Sequence, residues 1–341
     1  MNHTNEPYAL FPVGYGTLQA GNNPDVLETI LKALSNRAKD SNGKKIFLDT
    51  ARAYGDGESN IGSFFQRHPE MRKHFFVCTK VGITFDPACP YVSDPVVIRD
   101  QCDESLSRLN IDEADVIMLH RVDPGLSPEA ASLLYGELVN FQRAGKTRFI
   151  GVSECRADLL DFLAHEHGVQ YVECAYSPFS RRAEFNGITT IVRKHAIQLV
   201  AYSSILRGFL NPVLSEISNT DQLSVAELRE RIFSVLHLNE FEQSVGYYDP
   251  DKIRRNLSCV TGFMSLAKKL GMSPVDLSLA YVVTKGFIPI PGSMNPNRAV
   301  SNVAIPQLLD QVTMELIDSI TEGFSGNPNP ALLDFLDDKV L

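Results

Sequence analysis

The chain has 341 residues and a formal net charge of −9; 44% of its residues are hydrophobic and 21% are charged. These proportions fit a soluble globular protein with a sizeable core. The acidic balance excludes nucleic acid and anionic membrane as main partners, because both need a basic face.

Short apolar runs alternate with helical patterns along the whole chain. Val13–Leu18 is the first strand candidate, followed by a helix over Asp25–Ala38, capped by Asn23 or Asp25 with Pro24 in its first turn. Lys45–Asp49 is the second strand, and Asn60–Gln66 its helix, with Ser59 as a plausible cap. The third unit pairs Phe75–Lys80 with a helix over Pro95–Leu109, the fourth Asp115–His120 with Pro128–Ala144, stopped by Gly145. Phe149–Ser153 and Ala157–His167, closed by Gly168, form the fifth; Val169–Ala175 and Glu184–His195 form the sixth. Gln198–Ser203 is the seventh strand. A long irregular region, 207–257, follows with one helical pattern at Val225–Leu238. Helices over Val260–Leu270 and Pro274–Thr284, parted by Gly271, lead to an eighth strand at Phe287–Ile290 and a helix over Asn297–Val303. A last helix, Thr313–Phe324, precedes the tail.

Eight strand–helix units with near-continuous apolar strands predict a parallel sheet buried on both faces. The expected fold is α/β, a (β/α)8 TIM barrel over residues 1–341 as a single domain, with a long loop insertion after strand 7 and an extra C-terminal helix. A doubly wound sheet would want a glycine-rich phosphate loop after strand one, and GYG at 14–16 lacks it. The region 207–257 holds too few apolar positions for a core of its own and reads as an insertion. The six cysteines, Cys78, Cys89, Cys102, Cys155, Cys174 and Cys259, form no CxxC pair and are expected as buried thiols. No signal-peptide pattern opens the chain, and no window approaches the ~18 apolar residues of a membrane helix, so the cytoplasm is the expected location.

In this fold reactive side chains gather at the C-terminal ends of the strands. That rule selects Asp49, Tyr54, Lys80, His120, Ser153, Tyr176, Tyr202 and the PIPGS turn at Pro289–Ser293. An ammonium at Lys80 would lower the pKa of a nearby Tyr54 phenol, and Asp49 would hold the ammonium in place. Tyr54 would then place a proton on an oxygen gaining negative charge, with His120 orienting that oxygen. Proton donation to an alkoxide is half of a carbonyl reduction. No side chain supplies the hydride, so the set implies a nicotinamide cofactor.

The segments DTARAYGDGESNIG, FVCTKVG and DVIMLHRVD resemble the signature of the aldo/keto reductase superfamily. The resemblance runs through GKTRFIGVSE, ECAYSPFSRRAEFNGI, VAYSSILRGFL and IPIPGSMNPNRAVSN, nearly the whole chain. It implies a catalytic tetrad of Asp49, Tyr54, Lys80 and His120 acting on a small-molecule carbonyl substrate. It also implies NADPH, with NADH the weaker choice, held by Gly16, Thr17, Ser153, Glu173, Tyr202, Ser203, Leu206, Arg207, Gly292, Ser293, Arg298 and Asn302. Tyr202 would stack on the nicotinamide, Ser203, Leu206 and Arg207 would follow the pyrophosphate, and Gly292 to Asn302 would hold the adenosine end. The start of the eighth helix adds a favourable anion site. The chain is most similar in layout to the longer microbial and plant-type members, pyridoxal reductase-like or broad aldehyde reductase-like.

Three departures stand out. Glu173 replaces the usual glutamine, Met294 replaces the lysine that meets the 2′-phosphate in many relatives, and YSSILRG replaces YSPLGRG. The alternatives are an NADPH-binding regulatory subunit of the channel-β type, and the same site run as an alcohol or aldose dehydrogenase. Phe209, Phe241, Tyr247 and Tyr248 are candidates for the pocket wall, with packing the plainer role. His165 and His167 are two apart on a helix and face different directions, which does not suit a metal site. Asp49 with Glu173 resembles a glycosidase pair, but that chemistry leaves Lys80 and Tyr54 idle.

Overall fold

The computed structural model describes residues 9–84, 86, 90–217, 220, 222–238, 243–304 and 306–326. Phe241 and Cys89 lie outside these residues. An eight-stranded sheet runs in chain order: β1 Tyr15–Gly16, β2 Ile46–Asp49, β3 Phe75–Val81, β4 Ala114–Leu119, β5 Thr147–Ser153, β6 Tyr171–Ala175, β7 Gln198–Tyr202 and β8 Ile288–Pro289. The register from β1 to β6 is parallel throughout, with Gly16 opposite Asp49, Asp49 opposite Cys78 and Ser153 opposite Glu173. The N–H of Gly14 donates to Pro289 O at 2.8 Å, which returns the last strand to the first. This is the (β/α)8 barrel expected from the alternation of patterns.

The connecting helices start where short polar side chains take up the free N–H groups of the first turn. Asn23 caps α1 (Pro24–Lys39) through Val26 N at 3.2 Å. Asp94 caps α3 (Pro95–Leu109), and Ser127 caps α4 (Pro128–Arg143). Between them α2 covers Gly57–Arg67, and α5 follows at Ala157–His167. Gly145 and Gly168 take φ of +74° and +72°, as residues that end helices should. Ser59 is not a cap: α2 begins two residues earlier, with Asp56 at the cap position, so Ser59 lies inside the helix. That early start matters because α2 lies tightly on α3. A Cβ at Gly62 would stand 2.1 Å from Arg108 O, so only glycine permits the approach.

The predicted sixth helix is broken in two, α6 at Arg182–Phe185 and α7 at Ile188–Lys194. Gly187 between them has φ +91°, which interrupts the helical ladder. Beyond β7 come α8 (Val225–Leu236), α9 (Ile253–Lys269), α10 (Pro274–Thr284), α11 (Pro296–Asn302) and α12 (Gln311–Thr321). The α9 helix starts seven residues before its predicted onset, at the basic run Lys252, Arg254 and Arg255. Asp249 pairs with Lys252 at 2.7 Å, and Arg254 donates to Thr220 O at 2.7 Å.

The fold divides into two compact units: Met1–Cys174 with Ile188–Val200 and Ile288–Ile305, and Ala175–Gly187 with Ala201–Phe287 and Pro306–Leu341. In the first unit the inward residues of four strands form a layer of rings. Phe47 and Phe76 centroids are 5.6 Å apart, and Phe149 and Tyr171 centroids also 5.6 Å apart. In the second unit Phe209 stacks on Tyr247 at 5.9 Å and meets Phe324 at 6.3 Å, while Phe324 meets Phe179 at 5.0 Å. The 207–257 region thus contributes rings to a core that also takes in Phe179 and Phe324. Phe209, Tyr247 and Tyr248 are each at most 2% exposed, so their role here is packing.

Candidate active site

Strand periodicity builds the site. Side chains two apart on a strand share a face, so Asp49 follows Phe47 inward, Cys78 follows Phe76, and Glu173 follows Tyr171. The ring layer is therefore overlaid by a polar one. A carboxylate oxygen of Asp49, the Cys78 Sγ and a carboxylate oxygen of Glu173 all lie within 4.8 Å of one another. Lys80, one inward step further along β3 and fully buried, donates to Asp49 Oδ1 and, at 3.2 Å, to Glu173 Oε2. The lysine ammonium thus stands as the cation among these acids.

Tyr54 reaches the same place from the turn after β2. That turn is tied down by Thr50 N to Cys78 O at 2.9 Å, Arg52 N to Lys80 O at 3.0 Å and Tyr54 N to Ala51 O at 3.0 Å. The Lys80 Nζ lies 5.2 Å from the Tyr54 ring centroid, and the His120 ring meets Tyr54 edge-on at 5.5 Å. His120 follows β4, its N–H donating to Val81 O at 2.6 Å. Its Nδ1 is buried and has no hydrogen-bond partner among the described residues. All four predicted tetrad residues, with Glu173 as a fifth, are therefore gathered within the first unit.

The electrostatics differ from the expectation in one respect. Burial raises the Tyr54 pKa above the ordinary phenol value; Lys80 pulls it down, but Asp49 and Glu173 push it up again. The phenol thus stays protonated rather than softened, because desolvation outweighs one ammonium whose charge two acids offset. Burial would by itself lower Lys80; Asp49 and Glu173 reverse that and hold its pKa well above the ordinary lysine value. Asp49 is raised well above the carboxylate range by burial first and Glu173 second, against Lys80. Burial, then Lys80 and Arg121, lowers His120, which is a neutral imidazole.

The residues implied for a dinucleotide fall in both units. Thr17 in the first donates through its N–H and its Oγ1 to Asp49 O, each at 2.9 Å, and so fixes the end of β2. Gly16 is pressed against β8, where a Cβ would meet Ile290 O at 2.8 Å. Ser153 is buried at the end of β5, beside Glu154 at φ +47°. Gly292, Ser293, Arg298 and Asn302 follow β8; Arg298 is exposed, and Ser293 O accepts from the buried Tyr15 hydroxyl at 2.8 Å. In the second unit Tyr202 packs on Ala175, and Ser203, Leu206 and Arg207 take φ of +56°, +52° and +47°. Ser203 Oγ is buried with no hydrogen-bond partner among the described residues.

Two expectations need correction. The start of α11 is not an open anion site, because Asn295 Oδ1 accepts from Asn297 N at 2.9 Å and Arg298 N at 3.2 Å. Tyr176, selected as a strand-end residue, is buried and hydrogen-bonded to Glu184, which also pairs with Lys285 at 2.9 Å; it belongs to packing. His167 bonds to Ser132 at 2.7 Å while His165 points to solvent, so the two do not converge.

The Lys80–Glu173 contact went unseen in the sequence, although the two-residue step from Tyr171 to Glu173, matching Phe47 to Asp49, carries it. Glu58 was missed as well. It is fully buried in the first turn of α2, accepts from Thr79 Oγ1 at 2.5 Å, and is raised by burial.

Comparison with known proteins decides the family. The sequence profile of the Aldo/keto reductase family matches residues 12–322. The chain belongs to the aldo/keto reductase family. Aldo/keto reductases are oxidoreductases of carbonyl and alcohol groups, and this chain is one by descent. The aldo-keto reductase str7 of Strobilurus tenacellus is 29% identical over 261 residues, covering 75% of this chain and 71% of that protein. The aldo-keto reductase yakc of Schizosaccharomyces pombe, whose name carries NADP(+), is 30% identical over 256 residues, 72% of this chain and 69% of its own. Among solved structures, the glycerol dehydrogenase of Gluconobacter oxydans superposes with a TM-score of 0.72 at 21% identity, over 93% of each chain. An aldo-keto reductase from a Medee basin deep-sea metagenome library gives 0.64 at 18%, over 94% of this chain and 95% of its own. These two likenesses speak for the aldo/keto reductase fold. No helix among the described residues is long and apolar enough to cross a membrane.

Proposed function

We propose that this aldo/keto reductase reduces aldehydes or ketones with NADPH, using Tyr54 as proton donor, Lys80 and Asp49 to set its environment, and His120 to orient the carbonyl. The observation that carries the reading is the convergence of these four side chains, with Tyr54 flanked by the Lys80 ammonium and the His120 ring. A phenol held in its protonated form beside a neutral imidazole can give its proton only to a strong base, and a nascent alkoxide is one. The unpartnered His120 Nδ1 leaves a buried polar atom whose need a substrate oxygen can meet, in the tautomer that carries its proton there. The reading treats residues 1–341 as one catalytic barrel domain acting on small carbonyl compounds in the cytoplasm.

The donor set fits a phosphate-bearing dinucleotide. Ser203 Oγ is a buried hydroxyl in want of a partner, and Arg298 is an exposed guanidinium suited to a phosphate. NADPH, when bound, supplies the hydride. Within the first unit, Gly16, Thr17, Ser153, Glu173, Gly292, Ser293, Arg298 and Asn302 would hold it. Met294 in place of a lysine leaves Arg298 as the main cation for the 2′-phosphate.

The test is oxidation of NADPH and of NADH followed with pyridoxal, sugars and aromatic aldehydes, in wild type and Tyr54→Phe. Turnover with NADPH preferred is expected, with a loss of about 10²–10⁴-fold in the variant. Equal rates would remove Tyr54 from the mechanism, and tight NADPH binding without turnover would turn the reading towards a regulatory protein.

A further inference from the structure

Among the described residues, several titratable groups act on Lys80 or on its neighbours. Asp49 comes from β2, Cys78 from β3, Glu173 from β6, Tyr54 from the turn after β2, and His120 with Arg121 from the end of β4. Burial pushes the Cys78 thiol up, so it is neutral, as are the Tyr54 phenol and the His120 imidazole. Arg121 acts on Tyr54 and His120 through its charge. What remains is two carboxyl groups on one ammonium, all at most 3% exposed. With both acids ionised, Asp49, Glu173 and Lys80 would together hold one net negative charge away from water, which is costly. Two acids this close, within 4.8 Å, do not both ionise readily.

We propose that Asp49 and Glu173 share one proton around the Lys80 ammonium, and that Glu173 is thereby a positioning residue that fixes the charge state in which Tyr54 works. The inference deepens the reduction proposed above and rests on it for its kinetic part only. With one proton on the pair the cluster is neutral, and the Lys80 charge acts on Tyr54 nearly in full. When that proton leaves at high pH, the second carboxylate cancels the lysine's influence. Tyr54 then holds its proton more tightly, and reduction slows. The alkaline limb of the pH profile therefore belongs to the carboxyl pair. A glutamine at 173 would keep the shape and remove the shared proton, since Asp49 loses its like-charged neighbour and ionises beside Lys80.

Infrared spectroscopy of the protein without substrate tests the pair directly. Wild type is expected to show the carbonyl band of a protonated carboxylic acid at neutral pH, titrating away on the alkaline side, and Glu173→Gln is expected to lose it. Burial raises Glu58 as well, so Glu58→Gln is recorded alongside and any band that it removes is subtracted. Should the variant fail to fold, wild type grown with isotopically labelled aspartate gives the same answer. Among the described aspartates Asp49 alone is raised, so part of the band must shift. A band unchanged by Glu173→Gln, or by the label, overturns the shared proton. In kcat/KM for reduction, Glu173→Gln should move the alkaline limb up by roughly 1–3 pH units; an unmoved limb overturns the positioning role. Failure of the reduction itself would appear as an active Tyr54→Phe, and the infrared result is independent of it.

Discussion

Two buried clusters, one in each unit, treat polarity in opposite ways. In the first, a layer of rings on Phe47, Phe76, Phe149 and Tyr171 is overlaid by Asp49, Lys80 and Glu173, three ionisable side chains joined by hydrogen bonds through the lysine. In the second, Phe209, Tyr247, Tyr248 and Phe324 pack ring to ring, and the Tyr247 hydroxyl is buried with no partner among the described residues. The first arrangement is poised to change charge at a reacting atom. The second is a packing solution in which a polar atom is a burden. Buried polarity indicates chemistry only where the groups converge and titrate against one another.

Breaking the charged layer should have the largest effect. Lys80→Met leaves two carboxyl groups without their cation, and a loss of about 3–5 kcal/mol is expected in urea unfolding, together with loss of reduction. A stability change well under 1 kcal/mol would mean that the acids do not depend on the ammonium. The ring cluster of the second unit should respond with the opposite sign. Tyr247→Phe removes an unsatisfied hydroxyl and keeps the stacked ring, so a gain of about 1 kcal/mol and a raised melting temperature are expected; a clear loss would reveal a partner for that oxygen.

The smallest effect belongs to a surface charge on α1. Lys32 at 2.7 Å, opposed by slight burial and aided by His68 and Arg67, holds the Glu28 pKa down to about 2. A carboxylate whose pKa is lowered on folding stabilises above its unfolded value of ~4.3 and ceases to do so as pH falls through its folded value. Glu28→Gln should therefore cost on the order of 1 kcal/mol or less at pH 7. The difference from wild type should shrink between roughly pH 4.3 and about 2. A difference that persists at the acid end would assign the effect to packing.

The barrel was legible because its strands are near-continuous apolar runs set between helices with plain start and stop signals. Pro95–Leu109 and Ala157–His167 match their predicted bounds to the residue. The break at Gly187 was not legible, since an apolar period runs across it, and neither was the early start of α9, where polar residues carry the first turn. The tetrad positions were legible as polar residues ending apolar runs. The partner of Lys80 was not, because strands buried on both faces conceal which side chains turn inward. The supposed anion site at α11 failed for a local reason: the same asparagine that starts the helix consumes its free donors.

The five described cysteines are all free and buried, with Cys78, Cys102, Cys155 and Cys174 in the first unit and Cys259 in the second. Burial raises the pKa of Cys155 to about 12 and lifts Cys78, Cys102 and Cys259 as well, so none of these four offers a ready thiolate. Buried thiols of this kind are expected to resist an alkylating reagent in the closed fold, which makes them reporters. Each thiol becomes reactive only when the element covering it opens, so the order in which they are labelled is a map of which parts of the barrel breathe first.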